Sequence, residues 1–258
     1  MIVTVDADID LFRKAGKIAG QVLEELMNMV TPGITTWELD VAAEKLIRDA
    51  GAVPTFKGYR GFPATICASV NEEVVHGIPS KHKVLKEGDI ISMDIGATVT
   101  RDKGQNFIGD TAVTVAVGKI SPRLEKLLED TKAALYRGME VARSGVTLDE
   151  IGGPMEDIAK ANNYGIVREY GGHGIGYSYH EDPIILNYRN GSRTKLKAGM
   201  VVALEPMFNL GGDRVRLKPD NWTVVTTDYK PSAHFEHSLL IMEGQSPEIL
   251  TRRPHEVI

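Results

Sequence analysis

In the first 50 residues, apolar and polar positions follow the periodicity of an α-helix. Apolar residues recur every three or four positions, at Leu11, Ala15, Ile18, Val22, Leu26 and Val30. This spacing is typical of an amphipathic helix, for which Asp8 is the expected N-cap and Pro32-Gly33 the end. Thr35 to Glu38 then has a capping-box sequence, which predicts a second helix to about Ala50.

The same order of elements returns in the second half. Ser121-Pro122 joins an N-cap residue to a proline at the first helical position, which predicts a helix to about Arg143. Thr147 to Glu150 then repeats the Thr35 to Glu38 box at an offset of 112 residues. We therefore expect a single domain over residues 1–258, with an internal pseudo-repeat of about 1–120 and 121–245.

Strand-like sequence follows each predicted pair of helices. The β-rich segments are 65–75, 90–97, 111–117, 166–172, 200–208, 222–227 and 235–242. Helices grouped before strands, rather than alternating with them one to one, favour an α+β fold with a mainly antiparallel sheet.

Composition narrows the class of protein. The chain has 258 residues, a net charge of −5 and one cysteine, Cys67, which excludes a disulfide framework and any CxxC metal motif. No apolar run approaches the roughly 20 residues of a membrane span, and an acidic balance argues against a general nucleic-acid binder. We expect a soluble cytoplasmic protein with no membrane partner and no specific nucleic-acid partner.

Two aspartates stand at strand positions where an unpaired charge is expensive. Asp94 lies inside Ile90 to Gly96, and Asp110 opens the next predicted strand. Both are equally distant from Asp102, which begins a turn signal. A hairpin with its tip there would set the two aspartates opposite each other, with Cβ atoms about 5 Å apart.

Three more side chains extend this pattern. Glu205 ends one apolar strand, Glu236 lies within another, and His173 stands among glycines. Taken singly, Asp110 could be an N-cap or turn acid, Glu205 and Glu236 could be edge-strand acids, and His173 could belong to a polar loop. Together, four carboxylates and one imidazole favour two divalent ions that share bridging carboxylates. The donor set suits Co, Mn, Fe or Zn, and the sequence does not choose among them.

Seven motifs occur in order along the chain: Cys67 to Pro79, Met93 to Gly96, Gly109 to Ala112, Gly172 to Gly176, His180 to Pro183, Leu204 to Pro206 and Glu236 to Ser238. Together they resemble the motifs of the type I methionine aminopeptidases. The resemblance implies the pita-bread fold, an α+β fold in which two pseudo-symmetric halves surround a curved antiparallel sheet.

The resemblance also implies metal ligands and their roles. Asp94 would chelate one metal, Asp110 and Glu236 would bridge both, and His173 and Glu205 would bind the other. A metal-bridging water would attack the scissile carbonyl, with Glu205 as its proton shuttle.

Two histidines acquire catalytic roles through the same resemblance. His180 would stabilise the oxyanion, and His76 would assist near the scissile amide. The residues alone also allow purely structural roles, in which His76 is a turn histidine and His180 a strand-end histidine.

A methionine pocket and a monovalent-cation site complete the implied set. The pocket would be lined by Tyr59, Phe62, Cys67, His76, Tyr179, His180 and Trp222, with Phe56 and Tyr170 close by. These aromatic residues could equally belong to an ordinary core. Carbonyls around Asn71, Glu73 and Ser232 would bind the monovalent cation, Na or K.

The chain departs from the family pattern at a few places. Thr98 to Asn106 resembles a short insertion between the two aspartates, Phe62 stands where tyrosine is common, and Tyr179 where phenylalanine is usual. The zinc-binding N-terminal extension of some relatives and the helical insertion of type II enzymes are not expected here.

The leading hypothesis is thus a dinuclear metalloaminopeptidase that removes the initiator methionine from nascent polypeptides, as a monomer in transient association with the ribosome. Two alternatives stay open. One is a proline-directed aminopeptidase or dipeptidase of the same fold, and the other a non-catalytic, ribosome-associated binding relative.

Overall fold

The computed structural model describes residues 1–101 and 104–257. The α-helices of these residues form two consecutive pairs, which are α1 (Asp6–Met29), α2 (Thr36–Asp49), α3 (Pro122–Val141) and α4 (Leu148–Ala161). One short 3₁₀ turn, Tyr59–Gly61, follows the first pair.

The strands lie between and after the helical pairs. In chain order they are β1 (Val53–Pro54), β2 (Ile66–Val70), β3 (Glu73–Val75), β4 (Ile90–Arg101), β5 (Gln105–Ala116), β6 (Gly165–Ile166), β7 (Gly172–Ile175), β8 (Glu181–Ile185), β9 (Val201–Leu204), β10 (Met207–Asn209), β11 (Val215–Leu217), β12 (Val224–Thr226), β13 (Ser232–His234), β14 (Glu236–Leu240) and β15 (Glu248–Ile249). The segments predicted at 65–75 and 200–208 are each two strands.

A large antiparallel sheet organises the molecule. Its order is β1-β4-β5-β14-β9-β7-β8, with β2 also pairing with β4 and β15 with β14. Two three-stranded sheets, β13-β10-β6 and β11-β12-β3, flank it. The predicted α+β class with a mainly antiparallel sheet is confirmed. Within residues 1–101 and 104–257, no helix combines the length and apolar character needed to cross a membrane.

Local sequence signals set three of the helix starts as predicted. Thr35 and Thr147 both form complete capping boxes, and the Ser121 side chain accepts from Leu124 N. The predicted N-cap at Asp8 is wrong, because α1 already begins at Asp6. Asp8 is instead buried, where its carboxylate accepts hydrogen bonds from Arg101 and Tyr177.

The hairpin of β4 and β5 carries both predicted aspartates, but in a different register. Asp94 pairs with Ala112, and Asp110 with Gly96, so the expectation that the aspartates face each other directly is wrong. Asp110 also lies within β5 rather than at its start. Asp102, the expected tip, falls outside the described residues.

Close packing of α1 on β5 determines which way Asp110 points. A Cβ atom added to Gly109 would lie 2.4 Å from Gly16 Cα, so only glycine permits this contact. Because neighbouring strand residues face opposite sides, Asp110 faces away from α1. On β4, Met93 and Ile95 belong to the main hydrophobic core, together with residues of the helices. Asp94, which lies between them in the strand, therefore faces the opposite side of the sheet.

Candidate functional site

One row of side chains crosses four strands on the face opposite α1. Cys67 pairs with Asp94, Asp94 with Ala112, and Ala112 with Glu236. Asp110 lies two residues from Ala112 on β5, so it points to the same face. The small Ala112 leaves space between the carboxylates of Asp94 and Glu236.

Two further side chains reach this row from the other half of the chain. His173 lies on β7, and Glu205 directly follows β9. His173 Nε2 is 3.6 Å from Asp110 Oδ2 and 3.8 Å from Glu205 Oε1. His173 Nδ1 lies 2.9 Å from the Gly174 carbonyl, an arrangement in which Nδ1 donates and Nε2 keeps its lone pair toward the carboxylates.

The hydrogen bonding of the carboxylates indicates a divalent-metal site without reference to any related protein. Asp94 Oδ1, Asp110 Oδ1 and Glu236 Oε1 are buried, and none has a hydrogen-bond partner in the described part of the chain. Ligand atoms of Asp110, His173 and Glu236 lie within 4.8 Å of one another. Buried oxygens without donors are costly, and metal cations would satisfy them.

The carboxylates of the cluster differ in the direction in which their surroundings shift their pKa. Burial, followed by the neighbouring carboxylates, raises the pKa of Asp94 and of Glu236 well above the ordinary range. Burial also acts to raise the pKa of Glu205, but His234 and His173 outweigh it and leave that pKa lowered. Without cations, the raised pKa values favour protonated carboxyl groups at Asp94 and Glu236. Bound cations would instead compensate the negative charge of the ionised carboxylates.

His76 and His180 both line the same cavity as the five predicted ligands. Burial and the nearby His173 lower the pKa of His180 to about 4, and burial lowers the pKa of His76. The His180 and His173 ring centroids lie 4.2 Å apart with the rings tilted by 46°, and His180 Nδ1 lies 3.1 Å from the Tyr59 hydroxyl. Both histidines are thus neutral imidazoles near pH 7, able to donate or accept a hydrogen bond.

Aromatic side chains form the apolar part of this cavity, whose volume is about 400 Å³. Phe62 packs edge-on against Trp222 at 5.1 Å, and Tyr179 contacts both Phe56 and Tyr59. The predicted pocket residues that line the cavity are Tyr59, Phe62, Cys67, His76, Tyr179, His180 and Trp222, and Phe56 and Tyr170 line it too. The structure thus brings ligands and pocket residues together in one cavity.

Other residues near the site were not anticipated from the sequence. The imidazole of His234 is buried, and its Nε2 lies 3.6 Å from Glu205 Oε2 with no hydrogen-bond partner within the described ranges. Arg60 and Glu169 line the cavity at its exposed rim. No local signal marks any of the three, since even His234 ends β13 whereas Glu236 begins a separate strand, β14.

The three residues expected near a monovalent cation lie outside the cavity lining. The Asn71 carbonyl accepts from Ser232 N at 2.9 Å, which joins two of the three segments. The third, Glu73, is buried, and its carboxylate accepts from Lys83 and Lys218.

Known proteins resemble this chain along almost its whole length. The pattern of metallopeptidase family M24 matches residues 10–243. The methionine aminopeptidase of Clostridium acetobutylicum is 46% identical over 252 residues, which covers 97% of this chain and 98% of that one. Methionine aminopeptidase 1 of Bacillus subtilis is 48% identical over 246 residues, 95% of this chain and 96% of the relative.

A solved structure agrees with these relatives. The crystal structure of the methionine aminopeptidase from Thermotoga maritima superposes with a TM-score of 0.92 at 38% identity, covering 98% of this chain and all of that one.

Proposed function

Since the chain belongs to metallopeptidase family M24, we propose that it is a metal-dependent aminopeptidase that hydrolyses the bond after the N-terminal methionine of new polypeptides. The observation that carries this function is the group of buried carboxylate oxygens without donors, which opens onto an aromatic cavity. The high identity to methionine aminopeptidases over nearly the full chain supports the same activity.

Five side chains would hold two divalent ions, Co, Mn, Fe or Zn. Asp94 would bind one ion, His173 and Glu205 the other, and Asp110 and Glu236 would bridge them. When bound, such ions polarise the scissile carbonyl and lower the pKa of a coordinated water. The spacing of Asp110, His173 and Glu236 supports this assignment. So do the buried oxygens of Asp94, Asp110 and Glu236 that lack hydrogen-bond donors in the described part of the chain.

The side chains around the ions perform the proton transfers. Glu205, whose pKa is lowered by the surrounding histidines, is ionised near pH 7 and accepts a proton from the attacking water. As the new C–O bond forms and the C–N bond breaks, Glu205 returns that proton to the leaving amine. Water is consumed, and methionine and the shortened peptide are released.

The two auxiliary histidines orient and stabilise the substrate. His180 donates a hydrogen bond to the carbonyl oxygen as it gains negative charge. The Tyr59 hydroxyl at Nδ1 supports a tautomer in which the Nε2 proton is available for that bond. His76, on the Trp222 side of the cavity, contacts the scissile amide.

The aromatic cavity would bind the methionine side chain. Thioethers make favourable contacts with aromatic ring edges, and Tyr59, Phe62, Tyr179 and Trp222 present such rings around Cys67. Burial and the nearby carboxylates raise the pKa of Cys67 well above its usual range, so its thiol stays protonated. A neutral thiol suits an apolar pocket.

The fold is the pita-bread fold of the M24 relatives, and the proposed organisation is one catalytic domain of two repeats, about 1–120 and 121–245. The two capping boxes, each at the start of the second helix of a pair, support the repeat. Both capping threonines also form an isolated bridge with a later segment, Thr35 with Val84 and Thr147 with Lys195.

The cellular setting follows from the substrate. A monomer in the cytoplasm that associates transiently with ribosomes would meet new N-termini, and a single buried cysteine suits a reducing compartment. Co-sedimentation with ribosomes tests the association. Dependence of activity on Na or K tests a monovalent cation at the carbonyls around Asn71, Glu73 and Ser232.

Peptide cleavage distinguishes the leading function from its alternatives. The chelated protein is assayed on Met-Ala-x and x-Pro peptides, with and without added divalent metal. Metal-dependent release of methionine only from Met-Ala-x supports the proposal. Cleavage of x-Pro peptides alone would favour the proline-directed alternative, and no cleavage of either would favour a binding relative.

A further inference from the structure

Glu73 is a buried carboxylate beside the cavity, outside the group of five metal-ligand candidates, and it pairs with two partly exposed lysines. Only 6% of its side chain is exposed. Its Oε2 accepts from Lys83 Nζ at 2.7 Å and from Val70 N at 3.0 Å, and its Oε1 accepts from Lys218 Nζ at 3.2 Å. We call Glu73, Lys83 and Lys218 the Glu73 triad.

The triad holds both sides of the segment that carries His76. Glu73 begins β3, which ends at Val75, immediately before His76. Lys83 follows His76 in the chain, and its ammonium lies 3.5 Å from the carbonyls of Ala68 and Ile78. One carboxylate thereby ties together the strand before His76 and the chain after it.

His76 needs such support because its backbone is strained. Its φ of 58° lies in the left-handed region, which costs energy for a residue with a β-carbon. A conformation of this kind persists only where surrounding contacts impose it. The Glu73 triad and the hydrogen bond from Gly77 N to Ser69 Oγ, at 3.0 Å, supply those contacts.

Lys218 extends the triad to the Trp222 turn. It follows β11, which pairs with β12, and β12 pairs with β3. Lys218 N donates to Thr223 O at 2.8 Å and closes a turn that contains Trp222. The rings of Trp222 and His76 lie 6.4 Å apart, and both line the cavity.

We propose that Glu73, Lys83 and Lys218 are positioning residues for substrate binding, because they set the relative placement of His76 and Trp222. This inference rests on the proposed function, in which those two side chains contact the substrate. Loss of Glu73 would leave two lysine ammoniums without their carboxylate, so its effect should reach both His76 and Trp222. Loss of Lys218 leaves the Glu73–Lys83 pair intact, so its effect should be confined to the Trp222 side.

Two substitutions separate the two connections. Lys218→Met removes the link to the Trp222 turn and leaves the Lys83 pair, so we expect KM for a Met-Ala-x peptide to rise about tenfold, with kcat within about twofold. Glu73→Gln releases both connections, so we expect kcat to fall about tenfold as well. Lys126→Met is the matched control, since Lys126 is an exposed lysine that pairs with Asp130.

Two measurements other than turnover distinguish positioning from general damage. Calorimetric titration with Mn²⁺ should give unchanged affinity in all three variants, since none changes one of the five side chains proposed to bind divalent ions. In a Trp37→Phe background, acrylamide quenching of Trp222 fluorescence should increase in Lys218→Met and Glu73→Gln but not in Lys126→Met. If Glu73→Gln does not fold, Lys218→Met decides the question alone.

The possible failures are distinct. Unchanged KM and unchanged Trp222 quenching in Lys218→Met would overturn the positioning role, and so would a parallel loss of Mn²⁺ affinity. A parent protein that releases no methionine contradicts the proposed function instead. The fluorescence comparison does not depend on activity and would still test the positioning of Trp222.

Discussion

Asp94 and Asp110 share one face of the β4–β5 hairpin but are offset by two residues in register, so that Asp94 faces Ala112. Residues offset in this way lie about 7–8 Å apart rather than about 5 Å. The offset leaves a space in front of Ala112, bordered by Asp94 on one side and Glu236 on the other. Ala112 is therefore as much a part of the proposed metal site as its ligands.

The size of Ala112 gives the first prediction. Ala112→Val places two more carbons between Asp94 and Glu236, and we expect divalent-metal affinity to fall about 10- to 100-fold, the range seen when neighbours of metal ligands change. Calorimetric titration with Mn²⁺ measures the effect. Ala116→Val, on the same strand and face, is the control. Equal affinity in both variants would mean that the space is not needed.

The Tyr59 hydroxyl gives the second prediction. Tyr59→Phe keeps the ring in the pocket but removes the partner of His180 Nδ1. We expect kcat on Met-Ala-x peptides to fall about fivefold, the value of one hydrogen bond of about 1 kcal/mol, with KM unchanged. Tyr229→Phe, at an exposed tyrosine, is the control. A change confined to KM would assign Tyr59 to the pocket alone.

Glu205 gives the third prediction. Glu205→Gln keeps the size of the side chain but cannot take a proton from water, so we expect kcat to fall about 10²- to 10⁴-fold. Steady-state kinetics at saturating metal measures the loss, and circular dichroism checks that the fold is intact. Glu87→Gln, at an exposed loop position, should keep full activity. Activity of Glu205→Gln close to that of the parent would exclude Glu205 as the proton shuttle.

Removal of metal gives the fourth prediction, which depends on pH. In the metal-free protein the pKa of Asp94 and of Glu236 is raised well above that of an unfolded chain. Between the ordinary carboxyl pKa of about 4 and the raised values, the folded state binds more protons than the unfolded state, so the free energy of unfolding decreases as pH rises.

Bound metal removes this penalty by compensating the ionised carboxylates. We therefore expect the difference in Tm between metal-loaded and chelated protein to be larger at pH 7.5 than at pH 5.5. Differential scanning calorimetry of both forms at both pH values measures it. A difference that is the same or smaller at pH 7.5 would contradict the assignment of Asp94 and Glu236 to a metal site.

The sequence predicted features that depend on neighbours in the chain. Thr35 and Glu38 form their capping box because both partners lie within one helical turn, and the second box at Thr147 follows the same rule. The candidate ligands were also predictable, because an acid inside an apolar strand stands out against its surroundings. All five line one cavity.

Features that depend on distant residues were predicted poorly. Asp8 is not the N-cap but lies inside α1, where its carboxylate accepts from Arg101 and Tyr177, about a hundred residues or more away in the chain. The hairpin register was assigned from a turn motif, whereas it is set by the pairing of both whole strands. The contact of His234 with Glu205 and the Glu73 triad join segments whose proximity no local pattern reveals.

The helix α3 divides the proposed ligands into two groups along the chain, which determines when the metal site can form during synthesis. Asp94 and Asp110 precede that helix, and His173, Glu205 and Glu236 follow it. During translation, the proposed metal site cannot be complete until β14 has been synthesised and inserted between β5 and β9. An enzyme that processes nascent polypeptides would thus become active only near the end of its own synthesis.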